Sequence, residues 1–537
     1  MAVYAPDCDL RLLSAPLTYG DGNQLDFTSA AAQLTYFNSL PGANYTDFTY
    51  QRKDQYIRIP DIVDNLYQYN YVTYINHAGK RIYAFITKFE FINQNCTHVH
   101  IKTDVFQTWQ FDFTLKQCLV IREHTVTDVP YEHTLPEAID AGDIREIYRY
   151  RATPYSLSAK TDTEFDTNYR VIFCLSESWG TTELVANMFG GVPKTAYYYG
   201  FDRSQVRAAT HSIVQGHGAD SIIAVYPVPI DALNWTEVQG GYDGVSYYLP
   251  YDKGSQTVTI SIPTTGTIQG VGNVKNMKCL SFPYHYYKIW SANGDSVELK
   301  PQDFMNAYAT GSFTVQSSLS GAVSPSLIVT PRYYRYNNYG TQGETGSNFL
   351  YSVNFTDFPQ IAVKTSVYEN YTALNQNSLI MNKINIAANV TRGVAGASDI
   401  TSLANTAVSG AMSALSIAAK MKDLERQPDN IKGSPQGNSL ILSGGGGVFI
   451  SEMCAKQEYI AMIDDYFTMY GYYVHTMKVP QFKSRPNHNY VETQRCNLEG
   501  DMPQDDADEL CAMFNSGLTV WHNPSTFGNY SANNAPT

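Results

Sequence analysis

Arg81-Ile82-Tyr83-Ala84-Phe85-Ile86-Thr87-Lys88-Phe89-Glu90-Phe91, then Asn93-Gln94-Asn95, then Cys96-Thr97-His98-Val99-His100-Ile101-Lys102-Thr103-Asp104-Val105 is the stretch that decides the fold. From Cys96 onward, Thr97, Val99, Ile101, Thr103 and Val105 share one face, and His98, His100, Lys102 and Asp104 share the other. That period of two belongs to a strand buried on one side. The turn-like Asn-Gln-Asn between two such runs predicts an antiparallel hairpin. Further short runs rich in Tyr and Val follow at Tyr169–Leu175, Ser221–Val228, Gln256–Ile262, Lys278–Trp290, Leu327–Tyr336 and Phe349–Phe355, punctuated by Gly, Pro and Asn. This is the rhythm of antiparallel sheets and not of βαβ units, so the expected fold class is mainly β (α+β), with insertions and a few helices.

The 537 residues hold 37 Lys and Arg against 50 Asp and Glu, a net charge of −13. Broad affinity for nucleic acid needs a basic surface and is not expected. Charged residues are only 16% of the chain, below the roughly 25% of an average soluble domain, so uncharged polar and tyrosyl groups must cover much of the surface. The 42 Tyr supply them, and tyrosine suits pleated strands and contact surfaces with one wet edge. Met1–Leu10 lacks the basic and apolar regions of a signal peptide, and no run of 18 or more apolar residues marks an integral membrane protein. The eight cysteines contain no C-x-x-C and read as small buried hydrophobes in a reducing cytoplasm.

Patterned elements at both ends, and composition shifts near Ser378 and Ser451, divide the chain into residues 1–130, 131–377, 378–450 and 451–537. In the third segment tyrosine vanishes and Ala, Ser, Thr, Gly, Asn and Val take over. Ile400–Ala419 runs for 20 residues without a charge, and a Gly/Pro-rich arm, Gln427–Gly437, and a glycine run, Gly444–Gly447, follow it. We read the segment as one long two-armed insertion. Beyond it, Met453, Ile460, Ile463 and Phe467 predict a helix over Ser451–Tyr470 closed by Gly471. A second helix opens at Pro503, carries Asp505, Asp506, Asp508 and Glu509 in its first turns, buries Leu510, Met513 and Phe514, and stops at Gly517.

No constellation demands catalysis. His98 and His100 share a strand face as metal ligands do, yet no third ligand sits at a telling spacing, and a polar strand face is the favoured reading. Asp464, Asp465 and the run Asp505–Glu509 read as solvated helix faces, and His211 and His217 as a loop signature. G-x-S-x-G, H-E-x-x-H and phosphate-loop patterns are absent. The chain is therefore not expected to be an enzyme, and no catalytic, cofactor-binding or metal residue is assigned.

The charge-free stretch carries the functional signal. As a helix it spans about 30 Å, the thickness of a hydrocarbon core. Its larger apolar residues are Ile400, Leu403, Val408, Met412, Leu415 and Ile417, and Gly410, Ala414 and Ala418 form a small-residue ridge that lets helices in lipid approach closely. These nine residues are the candidate membrane-active loop. Gly433, Gly437, Gly444, Gly445, Gly446 and Gly447 are its candidate hinge. An Ala-rich helix packed against protein would show the same composition.

The C-terminal part supplies specific words: Ile463–Val474 (IDDYFTMYGYYV), Lys478-Val479-Pro480, Arg485, Asn489-Tyr490, Gly500-Asp501-Met502-Pro503 and Phe514–His522 (FNSGLTVWH). With Phe106-Gln107-Thr108-Trp109, Ile121-Arg122-Glu123-His124, Phe282-Pro283-Tyr284 and Asn375–Leu379 (NQNSL), they give a chain that resembles, in ordered patches over nearly its whole length, the distal tail (tail-knob) proteins of phi-twenty-nine-like, Picovirinae-type short-tailed bacteriophages. The insertion sits where that family carries its long distal loops, although here it is richer in Ala and Ser than in strong hydrophobes. The resemblance implies a homohexameric tube at the tail tip, built from residues 1–130 and 451–537 and conducting the genome. Its long loops would plug the mouth and engage the host membrane. Implied partners are sister subunits, the tail collar protein and other tail components, a host membrane contacted transiently, and viral DNA passing without tight binding. No cofactor is implied, and the protein would be synthesised late in the host cytoplasm. A tail adhesin for host-wall carbohydrate is the alternative, with Tyr197, Tyr198 and Tyr199 or Tyr333, Tyr334 and Tyr336 as its aromatic platforms.

Overall fold

The computed structural model describes residues 9–46, 49–51, 56–76, 78–180, 188–189, 192–193, 196–240, 242–305, 307–320, 325–335, 349–356, 358–374, 422–432 and 447–536. They form two compact units. Met1–Arg145, Pro263–His285 and Cys454–Thr537 make the first, and Glu146–Ile262 with Tyr286–Met453 make the second.

The expected hairpin is the spine of the first unit. Arg81–Asn93 and Cys96–Thr103 pair antiparallel in a seven-stranded sheet whose order is Gly42–Tyr45, Leu10–Leu13, Tyr71–Ile75, Arg81–Asn93, Cys96–Thr103, Tyr56–Ile59 and Thr49–Gln51. Ile86 lies opposite Ile101 and Phe89 opposite Val99. Asn93 Oδ1 accepts from Asn95 N at 2.9 Å and tightens the turn. Thr97, Val99 and Ile101 are buried, while His98, His100 and Lys102 keep access to water, as the alternation requires. Leu10, Leu12, Ile57, Val72, Ala84 and Val99 build an apolar cluster on one side of the sheet. Phe37, Tyr71, Tyr83, Phe85 and Trp521 build another.

The strand ends earlier than its pattern suggests. Asp104 Oδ1 accepts from Gln107 N at 3.0 Å and caps a short helix, Val105–Trp109, so Val105 leaves the strand face. The same carboxylate accepts from the Tyr71 hydroxyl at 2.9 Å. Burial pushes its pKa up to about 6, against the hydrogen bonds that favour its charged form.

A second sheet of this unit joins distant parts of the chain. Its order is Asn23–Leu25, Leu518–Trp521, His488–Gln494, Cys118–Glu123 and Tyr472–Lys478. Asn23–Leu25 runs parallel to Leu518–Trp521, and the Trp521 indole donates to Asn23 Oδ1 at 2.9 Å.

Both expected C-terminal helices exist, with one correction. Val448–Ala455 is a strand, and the helix spans only Gln457–Tyr470. Six of that strand's eight residues are buried, on both faces, so Ser451–Ala455 belongs to a central strand whose continuous burial mimics a helical apolar stripe. Gln504–Ser516 follows Pro503 and ends at Gly517, which sits at φ +92°. Its Leu510 and Phe514 pack with Val105, Phe106 and Val520, and Asp506 Oδ2 accepts from the Trp109 indole at 2.9 Å.

The second unit holds a five-stranded sheet ordered Ile222–Pro229, Tyr169–Leu175, Tyr197–Phe201, Tyr247–Asp252 and Leu233–Val238. The helix Val206–His217 contributes Ala209, Ile213 and Val214 to its core beside Phe173, Trp179 and Tyr199. Gln256–Ser261, Ser312–Ser320, Ser326–Pro331 and Val353–Phe355 form a separate sheet. The expected strand over Lys278–Trp290 is shorter. Met277–Leu280 is a single 3₁₀ turn, and pairing begins only at His285.

Candidate functional site

The long insertion is entered and left through well-anchored chain in the second unit. Val363–Thr365 pairs antiparallel with Asn430–Lys432, setting Val363 opposite Lys432 and Thr365 opposite Asn430. Val363 is buried in the core beside Ile213 and Val225, and Ile361 N donates to Val225 O at 2.7 Å. Lys432 Nζ reaches Asp220 Oδ1 at 2.5 Å, and Lys364 Nζ reaches Asp429 Oδ2 at 2.5 Å. Helix Val367–Leu374 opens on Ser366, whose Oγ accepts from Glu369 N at 3.3 Å, and packs against Val206–His217. Asn370 Oδ1 accepts from Ala219 N at 2.6 Å, and Glu369 Oε1 stands 3.1 Å from His211 Nδ1. At Gly218 (φ +81°) a Cβ would meet Leu374 Cδ2 at 3.1 Å, so glycine there lets the two helices close. The chain returns through Gly447, where φ is +116° and a Cβ would stand 2.8 Å from Leu157 Cδ1. Ala292 N donates to Gly447 O at 3.0 Å and Ala152 N to Val448 O at 3.2 Å.

The first unit holds a buried charged network that composition does not reveal. The Glu137 carboxylate, its side chain wholly shielded, pairs with both Arg122 and Lys278. It also accepts from Tyr473 N at 2.9 Å. Burial lowers the Lys278 pKa against the pull of Glu137, and its ammonium lies 5.4 Å from the centre of the Tyr472 ring. Burial raises the pKa of Asp128, which accepts from the Tyr472 hydroxyl at 2.6 Å. Asp464 accepts from Lys275 N at 2.9 Å and Asn276 N at 2.8 Å, tying helix Gln457–Tyr470 to the segment that includes Met277–Leu280.

Two imidazoles meet at the end of that helix. His124 Nδ1 accepts from Tyr490 N at 2.7 Å, so its proton is on Nε2, which donates to Thr468 O at 3.1 Å. His488 Nε2 donates to the same carbonyl at 2.9 Å, and the rings stand edge to face at 5.3 Å. Burial depresses both pKa values, His124 far below its ordinary value, and each ring is also held down by the Arg485 cation. Below about pH 6.5 the unfolded chain takes up protons that these folded imidazoles refuse, so their contribution to stability is lost as the pH falls through that value. Asp104, held near 6, acts in the opposite sense between its unfolded value and 6. A site-resolved readout separates the two effects. Nitrogen chemical shifts should show His124 still neutral and Nε2-protonated at a pH where added free imidazole is charged, and His488 taking up its proton at lower pH than free imidazole does. A His124 ring that charges together with free imidazole would contradict the tautomer drawn here.

The family described as Bacillus phage phi29, tail knob protein gp9, C-terminal domain, matches residues 252–535, more than half of the chain. The chain belongs to this tail knob family. Residues 11–114, which contain the long hairpin, match a second family, the Caudoviral major tail protein N-terminus. Tail knob protein gp9 of Bacillus phage B103 is 24% identical, with 98% of each chain covered. Tail knob protein gp9 of Bacillus phage phi29 is also 24% identical over 98% of each chain. Among solved structures, the bacteriophage C1 tail knob protein, gp12, superposes with a TM-score of 0.68 at 14% identity, covering 99% of this chain and 100% of that one. The tail knob fold, with several antiparallel sheets and few helices, is therefore the fold of this chain.

Of the sequence-derived site residues, only Gly447 lies among those described. Ile400, Leu403, Val408, Gly410, Met412, Ala414, Leu415, Ile417, Ala418, Gly433, Gly437, Gly444, Gly445 and Gly446 lie outside them. What the sequence reading missed is the anchor: Val363, Asn370, Gly218 and the Lys432–Asp220 pair. Lys432 and Asp220 are 212 positions apart, and no spacing rule links them. Of the aromatic triplets, Tyr198, Tyr199 and Tyr334 are buried, Tyr197 packs against the same core as Tyr199, and Tyr333 is exposed. Tyr336 is outside the described residues. Among the described residues no helix is long and apolar enough to cross a membrane.

Proposed function

We propose that six copies of this chain close into a ring that forms the distal tube and knob of the phage tail. The body made from residues 1–130 and 451–537 builds the tube. Residues 131–377 supply the β-rich knob, and the insertion 378–450 plugs the mouth and engages the host membrane during genome ejection. The chain acts as a structural virion component at the tail tip, not as a catalyst. It joins the collar and other tail proteins after synthesis in the host cytoplasm. DNA passes through without tight binding, consistent with a chain of net charge −13.

The observation that carries this reading is the anchor of the insertion. A charge-free stretch of 20 residues leaves and returns through a strand pair and a helix fixed to the core of the second unit. Such a root holds its place while the chain beyond it changes partners, which a plug that must be released requires. Tyr198 and Tyr199 are both buried, Tyr199 within that core, which removes them as sugar platforms and disfavours the adhesin.

Replacing Val408 and Leu415 by Asp places charges that cost about 3 kcal/mol each at mid-membrane. The double variant should still assemble into rings and attach to cells, while dye release from liposomes and genome delivery are lost. Unchanged dye release by the variant would refute the membrane role.

A further inference from the structure

In the second unit, the chain that leaves the strand Ile144–Arg151 forms one wall of a small cavity beside the return of the insertion. Arg151, Tyr155, Ser156, Ser158, Val448 and Phe449 line it. The wall is fixed before any ligand arrives. Thr153 Oγ1 donates to Tyr155 O at 2.8 Å, the Tyr169 hydroxyl to Leu157 O at 2.7 Å and Asn168 Nδ2 to Ser158 O at 2.9 Å. The cavity measures about 60 Å³. At roughly 10–15 Å³ for each water-sized occupant it holds about four to six, which suits the five or so heavy atoms of a phosphate group and not the dozen or so of a hexose.

The polar groups of this lining are donors in want of an acceptor. Tyr155 is only 6% exposed, and its hydroxyl makes no hydrogen bond among the described residues, an arrangement that costs free energy until water or a ligand fills it. Burial pushes the pKa of that hydroxyl well above its usual value, so it meets an anion as a neutral donor. The Ser156 hydroxyl accepts from Ser158 N at 3.2 Å and keeps its own proton for a further bond. The Ser158 hydroxyl and the Arg151 guanidinium, the latter exposed at the rim, are also without a side-chain partner among the described residues. Arg151 is the one charged group among the described lining residues.

We propose that this cavity binds a phosphate group, either as the free ion or as the headgroup of a phospholipid. Arg151 supplies the opposite charge and a planar set of N–H donors, and the hydroxyls of Tyr155, Ser156 and Ser158 serve the remaining oxygens. Among the described lining residues none is a carboxylate, imidazole or thiol, so a cation finds no ligand there. Arg149 lies 5.7 Å from the centre of the Phe449 ring, but it is already paired with Glu146, which leaves Arg151 as the cation available to the anion. The ligand would rest against Val448 and Phe449, the first residues after Gly447, where the insertion rejoins the core.

The test is calorimetric titration of the full-length protein with sodium phosphate in a chloride buffer. One phosphate should bind per chain. Arg151→Ala should weaken binding by about tenfold or more. Tyr155→Phe, which removes one donor and little volume, should weaken it by about fivefold. Arg207→Ala, exposed elsewhere in the same unit, should leave it unchanged. Circular dichroism on each variant establishes that it is folded. Flotation with phosphatidylglycerol vesicles separates the two sources. Retention that Arg151→Ala abolishes assigns the lipid headgroup. Phosphate binding with no retention, or with retention that survives Arg151→Ala and so comes from the insertion, assigns the free ion. No phosphate uptake by the wild type, or equal uptake by Arg151→Ala and Tyr155→Phe, would overturn the site whatever the vesicles show.

Discussion

Replacing Glu137 by Ala should destabilise the first unit by about 3–5 kcal/mol, among the largest losses from any single side chain here. The carboxylate is the common counter-ion of Arg122 and Lys278, whose side chains are 9% and 3% exposed. Removing it strands two cations that water cannot reach, while the Tyr473 N–H loses its acceptor. Arg122 would keep its bond to Gly471 O at 2.8 Å and its place 5.1 Å from the Tyr466 ring, so the arginine would be held in position without neutralisation. Denaturant unfolding monitored by the fluorescence of Trp109 and Trp521 reads the loss. The same physics makes a second forecast. Replacing Glu137 by Leu with Arg122 and Lys278 both changed to Met should recover most of the stability, because an apolar trio avoids the desolvation that the ions incur. A loss of less than about 1 kcal/mol for Glu137→Ala would show that the triad is solvated and its burial misjudged.

Gly471→Ala should cost about 3 kcal/mol or more, because strain and overlap coincide. Gly471 ends helix Gln457–Tyr470 at φ +63°, a conformation that side-chain-bearing residues adopt only with strain. An added Cβ would also lie 2.2 Å from Glu123 O and 2.5 Å from His124 N, both backbone atoms of a strand end that has no flexible tip to yield. Gly528→Ala provides the comparison: φ is +75°, but nothing lies within 4 Å. It should cost only the strain, on the order of 1 kcal/mol. Equal thermal shifts for the two variants would mean that the strand moves aside and that the close approach carries no energy.

The sequence made the fold class legible because alternation survives wherever one face meets water. Thr97, Val99 and Ile101 declare their side of the sheet without help from distant residues. Val448–Ala455 does not, since a strand buried on both faces has no polar face to mark its period, and Met453 happens to lie seven residues before Ile460. The end of the hairpin strand was hidden for another reason. Asp104 fits the polar face of the pattern equally well whether it points to solvent or caps the next helix. At the candidate site, the glycine- and alanine-rich insertion announced itself by composition, while its anchor did not. Asn370, Asp220 and Lys432 are ordinary surface-type residues until the fold brings them together.

The parallel pairing of Asn23–Leu25 with Leu518–Trp521 sets a timetable for synthesis. The bond from Trp521 to Asn23 spans 498 residues. At bacterial elongation rates of about 5–20 residues per second, the first strand waits roughly 25–100 s on the ribosome before its neighbour exists. Throughout that interval Asn23–Leu25 lacks this pairing partner, and Leu13, Leu25 and Phe37 lack the Trp521 ring that later joins their cluster. Chains released early would carry this unfinished apolar surface among other nascent sister chains. A cell producing the protein quickly should therefore accumulate aggregates of incomplete chains rather than of finished ones.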